Sequence, residues 1–143
     1  MRLTKESEYA LLGLAALAAE PPGGAVSLSS VAESHRLPRE FLSKIFQKLV
    51  RHGLLTSGRG RGSGYALTRS PSSITLREVL EAVEGPRMLQ QCLLWQEHCA
   101  DENPCPLHYR LKELHPVIVS MLETVTLAEY VADSNHLKDH LSR

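Results

Sequence analysis

The sequence lacks an apolar run long enough to cross a membrane. Its longest apolar stretch, residues 9–19, is shorter than the roughly 20 residues that a bilayer requires, so we expect a buried helix there. Met1-Arg2 leads directly into an amphipathic segment, which is not the pattern of a signal peptide. The cysteines number three, which excludes a closed set of internal disulfides. We therefore expect a protein of the reducing cytoplasm.

The motifs of the common enzyme classes are also missing. The sequence contains no nucleotide-binding motif, no nucleophile elbow and no pair of catalytic carboxylates. Only a reactive cysteine near His98 or His108 would be left for catalysis, so we do not expect an enzyme. With 143 residues and no internal repeat, the chain is one domain, or one small domain with an appendage.

The chain has no net charge, but its charges are distributed unevenly. Residues 36–69 contain eight Lys or Arg and one acid, whereas residues 70–143 contain six basic and eleven acidic residues. Such a division is typical of a segment that binds a polyanion, joined to an acidic remainder.

Three helices are predicted before residue 53. Each begins at a residue suited to a helix start, which is Thr4, Ser27 or Pro38. The third helix ends at His52-Gly53, with the glycine at a left-handed cap position. The predicted spans are 5–20, 27–34 and 38–51.

A β-hairpin is predicted after the third helix. Two extended runs, residues 54–57 and 64–68, flank a glycine-rich turn that carries Arg59 and Arg61. Helix, helix, turn, helix and hairpin is the order of elements in a winged helix-turn-helix domain. The third helix would lie in the major groove. The hairpin would form the wing, and its two arginines would lie in a minor groove. The residues predicted to contact DNA are Arg39, Ser43, Lys44, Gln47, Lys48, Arg51, Arg59 and Arg61.

The second half predicts a cysteine-containing loop and a long helix. Thr75 opens a helix with a capping box, and Gly85-Pro86 stops it. A helical pattern returns from Pro106, and Pro116 should kink or interrupt it. The fold class is therefore mainly α with a small β-hairpin. The predicted units are a winged helix-turn-helix domain (1–85), a cluster-binding loop (86–105), a dimerisation helix region (106–133) and a polar tail (134–143).

The cysteines are concentrated in the predicted loop. Six residues separate Cys92 from Cys99, five separate Cys99 from Cys105, and two separate Cys105 from His108. Structural zinc usually takes at least one pair of cysteines two to four residues apart, which this chain lacks. Loops of this length favour a larger group, an iron–sulfur cluster held by thiolates. Zinc, or thiols that sense oxidants without metal, are the alternatives.

Short motifs spread over the chain carry a family resemblance. They are Met1-Arg2-Leu3-Thr4, Tyr9-Ala10, His52-Gly53-Leu54, Arg59-Gly60-Arg61-Gly62-Ser63-Gly64-Tyr65, Ile74-Thr75-Leu76, Glu78-Val79, the three cysteines and Thr126-Leu127-Ala128-Glu129. Together they resemble the IscR/NsrR family of winged-helix transcription regulators. The resemblance implies a DNA-binding regulator with an iron–sulfur cluster on Cys92, Cys99 and Cys105.

The resemblance leaves the fourth ligand and the cluster type open. In IscR-like members a histidine at the position of His108 completes a [2Fe–2S] site. In NsrR-like members an acidic residue at the position of Glu8 reaches the cluster of the other subunit. This chain has both residues, so a [2Fe–2S] and a [4Fe–4S] cluster are both compatible with it.

The apolar stripe of the helix after Pro106 has no obvious partner within so small a domain. A symmetric homodimer would bury it. The two winged helix-turn-helix domains (residues 1–85 of each subunit, here called the heads) would then bind the two half-sites of a near-palindromic operator in double-stranded DNA. The cysteine loop lies between head and dimer helix, so gain or loss of the cluster could change the spacing of the heads. We therefore expect a homodimeric regulator that represses transcription, with activation as the alternative.

Overall fold

The computed structural model describes residues 3–58, 64–92, 94 and 99–141, with only the backbone described from residue 137 onward. Within these ranges the chain forms six α-helices, one pair of strands and two short 3₁₀ turns. The helices are α1 Lys5–Ala18, α2 Leu28–His35, α3 Arg39–Arg51, α4 Leu76–Glu84, α5 His108–Thr124 and α6 Leu127–Leu141. The strands are β1 Leu55–Ser57 and β2 Tyr65–Leu67, and the 3₁₀ turns are Pro71–Ser73 and Met88–Gln90.

The predicted fold class, mainly helical with one hairpin, is confirmed. Side chains of Thr4, Ser27 and Thr75 accept hydrogen bonds from the first turns of α1, α2 and α4, and Thr75 forms the predicted capping box with Glu78. Pro38 lies one position earlier than expected, at the N-cap of α3. No helix in the described ranges is long and apolar enough to cross a membrane.

The hairpin packs beside the segment that precedes α2. Strand β1 pairs antiparallel with β2, with Leu55 opposite Leu67 and Ser57 opposite Tyr65. Backbone hydrogen bonds between Val26 and Tyr65, 2.9 and 2.8 Å long, attach the hairpin to the body. A Cβ at Gly64 would lie 2.4 Å from the Val26 carbonyl oxygen, so only glycine allows this close approach.

The main core is formed by α1 to α4, the hairpin and the start of α6. A Cβ at Gly13 would lie 2.5 Å from the Phe46 ring, so α1 approaches α3 closely. The fully buried side chains include Leu14, Val31, Leu42, Ile45, Phe46, Leu49, Leu55, Ile74, Val79 and Leu127. Burial of this apolar surface is the main force that holds the head together.

The C-terminal third is helical on both sides of Pro116 and beyond residue 133. Helix α5 runs through Pro116 without interruption. The polar tail predicted from residue 134 is helical as far as Leu141. Helix α6 returns to the head, where Leu127 N–H donates to the Ile74 carbonyl at 2.8 Å and Leu76 N–H to the Val125 carbonyl at 3.0 Å. These are bonds between residues about fifty positions apart, which no local sequence pattern signals.

A second, smaller core joins α5 to the head. Leu122 of α5 packs with Leu80 of α4 and with Met88 and Leu89 of the 3₁₀ turn that follows. This contact holds the C-terminal end of α5 beside the start of the cysteine loop.

Candidate functional site

The outer face of α3 carries four of the predicted DNA contacts at successive helical turns. Arg39, Ser43, Gln47 and Arg51 are four residues apart, which places them along one side of the helix. Apart from the half-buried Ser43, these side chains and that of Lys44 are exposed. Arg39 Nε donates to Ser29 Oγ of α2 at 3.0 Å, so its guanidinium lies between the two helices.

Lys48, which the sequence predicted to contact DNA, is oriented differently from the other predicted contacts on α3. Its ammonium group turns toward the body, where it pairs with the Glu6 carboxylate of α1 and donates to the Val83 carbonyl of α4 at 3.2 Å. About a third of the side chain is exposed. Lys48 therefore belongs to the contact between α3, α1 and α4 rather than to the exposed face of α3.

The two wing arginines, Arg59 and Arg61, lie outside the described residues. The described strands fix where their loop begins and ends, because Gly58 N–H donates to the Gly64 carbonyl at 2.8 Å. Their contact with DNA remains a prediction.

The three cysteines come together although the loop spreads them over fourteen positions. Their sulfur atoms all lie within 4.8 Å of one another, and the Cys92 and Cys105 sulfurs are 3.7 Å apart. Cys105 N–H points at the Cys99 sulfur at 3.4 Å, and Leu94 N–H points at the Cys92 sulfur at the same distance.

His108 lies beside one member of this group, Cys99. It is the first residue of α5, and its Nδ1 lies 3.1 Å from the Cys99 sulfur. Its other ring nitrogen, Nε2, lies 2.9 Å from Asp101 Oδ1. The same carboxylate oxygen accepts from Lys112 Nζ at 2.7 Å. The sequence predicted His108 as a candidate fourth ligand, and the structure places it beside Cys99, so its role as a ligand stays a prediction. The sequence gave no indication of Asp101 or Lys112.

Charge and burial differ between the two sides of the group. The hydrogen bond from Lys112 and that from His108 lower the pKa of the Asp101 carboxyl, which stays ionised at neutral pH. Burial raises the pKa of the Cys105 thiol, and contact with Cys99 and Cys92 raises it further. Coordination to a metal would reverse this, since a bound cation stabilises the thiolate.

The donor set fits a thiophilic metal or an iron–sulfur cluster. Two thiolates about 2.3 Å from one tetrahedral metal atom lie about 3.8 Å apart, close to the spacing of Cys92 and Cys105. Beside the donors is a cleft of about 540 Å³, whose walls include Cys92, Cys99 and His108 together with apolar residues of α5. Three thiols and an imidazole are ligands for zinc and for iron in such clusters.

Glu8, the other candidate fourth ligand, is like His108 outside the group of three cysteines that lie mutually close among the described residues. It lies in the first turns of α1, exposed, and its carboxylate pairs with Lys5 of the same helix at 2.5 Å. Whether it reaches a second subunit stays a prediction, since that contact needs two chains.

A polar cluster without sequence signal lies at the base of the head. Glu84, at the end of α4, accepts from the Thr4 backbone at 2.9 Å, from Thr4 Oγ1 at 2.5 Å and from buried Ser7 Oγ at 2.6 Å. Burial alone would raise the pKa of Glu84, but the hydrogen bonds from Ser7 and Thr4 outweigh it and lower the pKa. Gly85 follows directly, so this cluster fixes the point at which the cysteine loop leaves the head.

The chain resembles known regulators over most of its length. A family model described as Rrf2, iron-dependent transcriptional regulator, matches residues 3–133. The chain is 32% identical over 138 residues to the HTH-type transcriptional regulator IscR of Yersinia pseudotuberculosis, which covers 96% of this chain and 84% of that protein. The structure of CymR, the global cysteine regulator of B. subtilis, matches with a TM-score of 0.76 at 25% identity, over 92% of this chain and 97% of that one. IscR of T. potens matches with a TM-score of 0.72 at 24% identity, over 94% and 88%.

Proposed function

The chain belongs to the Rrf2 family of transcriptional regulators, and on that premise we propose that it is a homodimeric, DNA-binding repressor whose operator affinity depends on an iron–sulfur cluster. Its membership also confirms the prediction that it is not an enzyme. The observation that carries the proposal is the meeting of Cys92, Cys99, Cys105 and His108 where α5 joins the head. We place its action in the cytoplasm, where an iron–sulfur regulator meets its DNA.

We assign the cluster to the [2Fe–2S] type because the donors fall into two pairs. Cys92 and Cys105 form one pair at 3.7 Å, and Cys99 and His108 form the other at 3.1 Å. Two donors for each of two irons is the arrangement in [2Fe–2S] sites, including those with histidine ligands. When bound, the cluster would supply one-electron redox chemistry and sensitivity to oxidants or nitric oxide. The protein supplies the ligands and their backbone N–H contacts.

The DNA-binding surface in this proposal is the exposed face of α3 together with the wing. Lys44 and Arg51 would contact phosphates, and Ser43 and Gln47 would contact base edges in the major groove. Arg39 is held near the start of α2 by its hydrogen bond to Ser29. We expect the sugar–phosphate backbone of the DNA to pass beside this point. Lys48 is left out of the surface because its ammonium group faces α1 and α4.

Dimerisation is proposed through α5, within residues 106–133. Leu114, Val117 and Met121 are 54%, 66% and 46% exposed and are spaced three and four residues apart, so they form one apolar stripe. An exposed stripe of this kind on a small regulator is typical of an interface between subunits. The stripe continues past the cleft beside the cysteines, because Leu114 also lines that cleft. Binding of the cluster would therefore change the surroundings of Leu114 and, through it, the contact between the subunits.

The proposal is tested with the wild-type protein in two forms, anaerobically reconstituted with ferrous iron and sulfide, and metal-free. A random duplex pool selects the operator, and fluorescence anisotropy then measures the affinity of each form for it. We expect a near-palindromic selected sequence and affinities that differ about fivefold or more between the two forms, the lower end of ordinary coupling. Transcription in vitro from a promoter carrying this sequence should fall when the tight-binding form is added. Equal affinities would contradict the regulatory role of the site.

The dimer is tested separately by sedimentation. Val117→Glu places a charge in the apolar stripe and should convert the dimer to monomer, whereas Ala25→Glu, at an exposed position between α1 and α2, should leave it dimeric. A Val117→Glu protein that stays dimeric would contradict the α5 interface.

A further inference from the structure

We propose that Asp101 is a positioning residue for the fourth ligand, one that holds His108 with Nδ1 toward the cysteines, and that Lys112 holds Asp101 in place. The effect of Asp101 on cluster binding rests on the proposed function. The orientation of the His108 ring is argued from the metal-free structure alone. Nothing in the sequence singles out Asp101, because it lies in an irregular loop between Cys99 and Cys105.

The ring of His108 is held at both nitrogens. Nδ1 is 3.1 Å from the Cys99 sulfur, and Nε2 is 2.9 Å from Asp101 Oδ1. The two contacts lie on opposite sides of the ring, so they fix its rotation about χ2. The His108 side chain is only 13% exposed, which leaves it little room to turn.

Asp101 is held in turn by α5. His108 and Lys112 are four residues apart, so one face of the helix presents both toward the loop. Oδ1 of Asp101 accepts from His108 Nε2 and from Lys112 Nζ at 2.9 and 2.7 Å. The carboxylate thus connects the loop to the first turn of the helix at the ligand itself.

This arrangement decides which nitrogen is available to a metal. A carboxylate accepts hydrogen bonds, so Asp101 places the ring proton on Nε2 and leaves the lone pair of Nδ1 facing the thiols. Carboxylate partners of metal-bound histidines fix the tautomer and the orientation of the ring in this way. A histidine without this partner would exchange its proton between the two nitrogens and would present the correct one for part of the time.

The role differs from that of an ordinary structural salt bridge. The Asp101 side chain is 69% exposed, so its pairing with Lys112 contributes little to the stability of the fold. Removing it should therefore leave the head folded and able to bind DNA, while the ligand loses its orientation.

The loaded protein gives the first test. Wild type, Asp101→Ala, Asp101→Asn, Lys112→Met and the control Glu102→Ala are reconstituted with ferrous iron and sulfide, reduced, and examined by pulsed EPR for the nitrogen coupled to the cluster. Glu102 is the neighbouring exposed acid on the same cleft, so its loss changes the charge equally. We expect Asp101→Ala to weaken the nitrogen coupling and to release iron to a chelator about 10- to 100-fold faster, the range for loss of a ligand's hydrogen-bond partner. Asp101→Asn should restore the coupling, because its amide oxygen still accepts, and Glu102→Ala should match wild type.

The metal-free protein gives a second test that does not depend on the cluster. In wild type labelled with ¹⁵N, the two ring nitrogens of His108 should have the well-separated shifts of one tautomer, with the proton on Nε2. In Asp101→Ala the two shifts should approach each other. If wild type bound no iron and sulfide, the proposed function would fail, while this measurement would still decide the role of Asp101. Unchanged ring shifts together with unchanged nitrogen coupling in Asp101→Ala would overturn the proposal.

Discussion

The ammonium group of Lys48 on α3 donates a hydrogen bond to the carbonyl oxygen of Val83 in the last turn of α4, 3.2 Å away. The same group pairs with Glu6 of α1. One side chain of the proposed recognition helix thus joins the helix that begins the chain to the helix that leads into the cysteine loop. A cation at the C-terminal end of α4 is also favourable to the dipole of that helix.

Lys48 and Lys44 should therefore differ when each is replaced by methionine. We expect Lys48→Met to lower the free energy of unfolding by about 1 kcal/mol, the scale of a partly exposed charged hydrogen bond. Lys44→Met should leave stability unchanged and reduce the salt dependence of DNA binding by about one phosphate contact. Urea unfolding and DNA titrations at several salt concentrations measure the two effects. If both variants behave alike, the assignment of Lys48 to the body of the head is wrong.

Glu84 should give the head a dependence on acid. Its pKa in the folded state is lower than its ordinary value of 4.5, so its stabilisation is complete above about pH 4.5 and is lost as the pH falls through the folded pKa. At pH 7 we expect Glu84→Gln to lose about 1–2 kcal/mol of stability, because the bonds from Thr4 and Ser7 then end on a neutral amide.

As the pH falls below about 4.5 and through the folded pKa of Glu84, the difference between Glu84→Gln and wild type should shrink, because the carboxylate becomes protonated and both groups are then neutral. Urea titrations between pH 7 and pH 3 measure this, with Glu33→Gln on the exposed side of α2 as the control. A difference that stays constant with pH would show that the charge of Glu84 is not what matters.

The wing is tested by Arg59→Ala and Arg61→Ala. If each arginine contacts a phosphate or a narrow minor groove, each variant should weaken operator binding and lower the salt slope by about one unit. Folding and dimerisation should be unaffected. Operator affinity equal to wild type in both variants at moderate salt would remove the wing from the DNA surface.

Sequence reading by α3 is tested at Ser43 and Gln47. Replacing either by alanine should change the preference among operator variants by roughly 1–3 kcal/mol per lost base contact, with little change in binding to unrelated DNA. Competition against single-base operator variants measures this preference. Equal weakening on specific and non-specific DNA would mean that this face contacts only the backbone.

Features governed by neighbouring residues were predictable from the sequence. The helix starts at Thr4, Ser27 and Thr75 depend on side chains within three positions, and the three capping bonds are present in the structure. Gly53 adopts a positive φ of 74°, as its cap position predicted. The cysteines and His108 were singled out by their short spacings and by the family resemblance, and the structure places the three sulfurs within 4.8 Å of one another and His108 beside Cys99.

Features governed by distant residues were not predictable. A helical pattern shows that Lys48 leaves α3 at the edge of its polar face, but it does not show that Glu6 and Val83 stand there. The return of α6 depends on pairing of Leu127 with Ile74, and the role proposed for Asp101 depends on a loop folding back on α5. Each requires a long-range contact that no periodicity encodes.

The cluster itself is examined by iron and acid-labile sulfide analysis of protein isolated without oxygen, for wild type and for Cys92→Ala, Cys99→Ala, Cys105→Ala, His108→Ala and Glu8→Ala. We expect wild type to be coloured and to contain two irons and two sulfides per chain, as the [2Fe–2S] assignment requires. Each cysteine variant should lose both while its metal-free form still binds DNA, and His108→Ala should shift the absorbance whereas Glu8→Ala does not. Iron and sulfide retained in all three cysteine variants, or wild type that contains zinc or no metal, would contradict an iron–sulfur site in this loop.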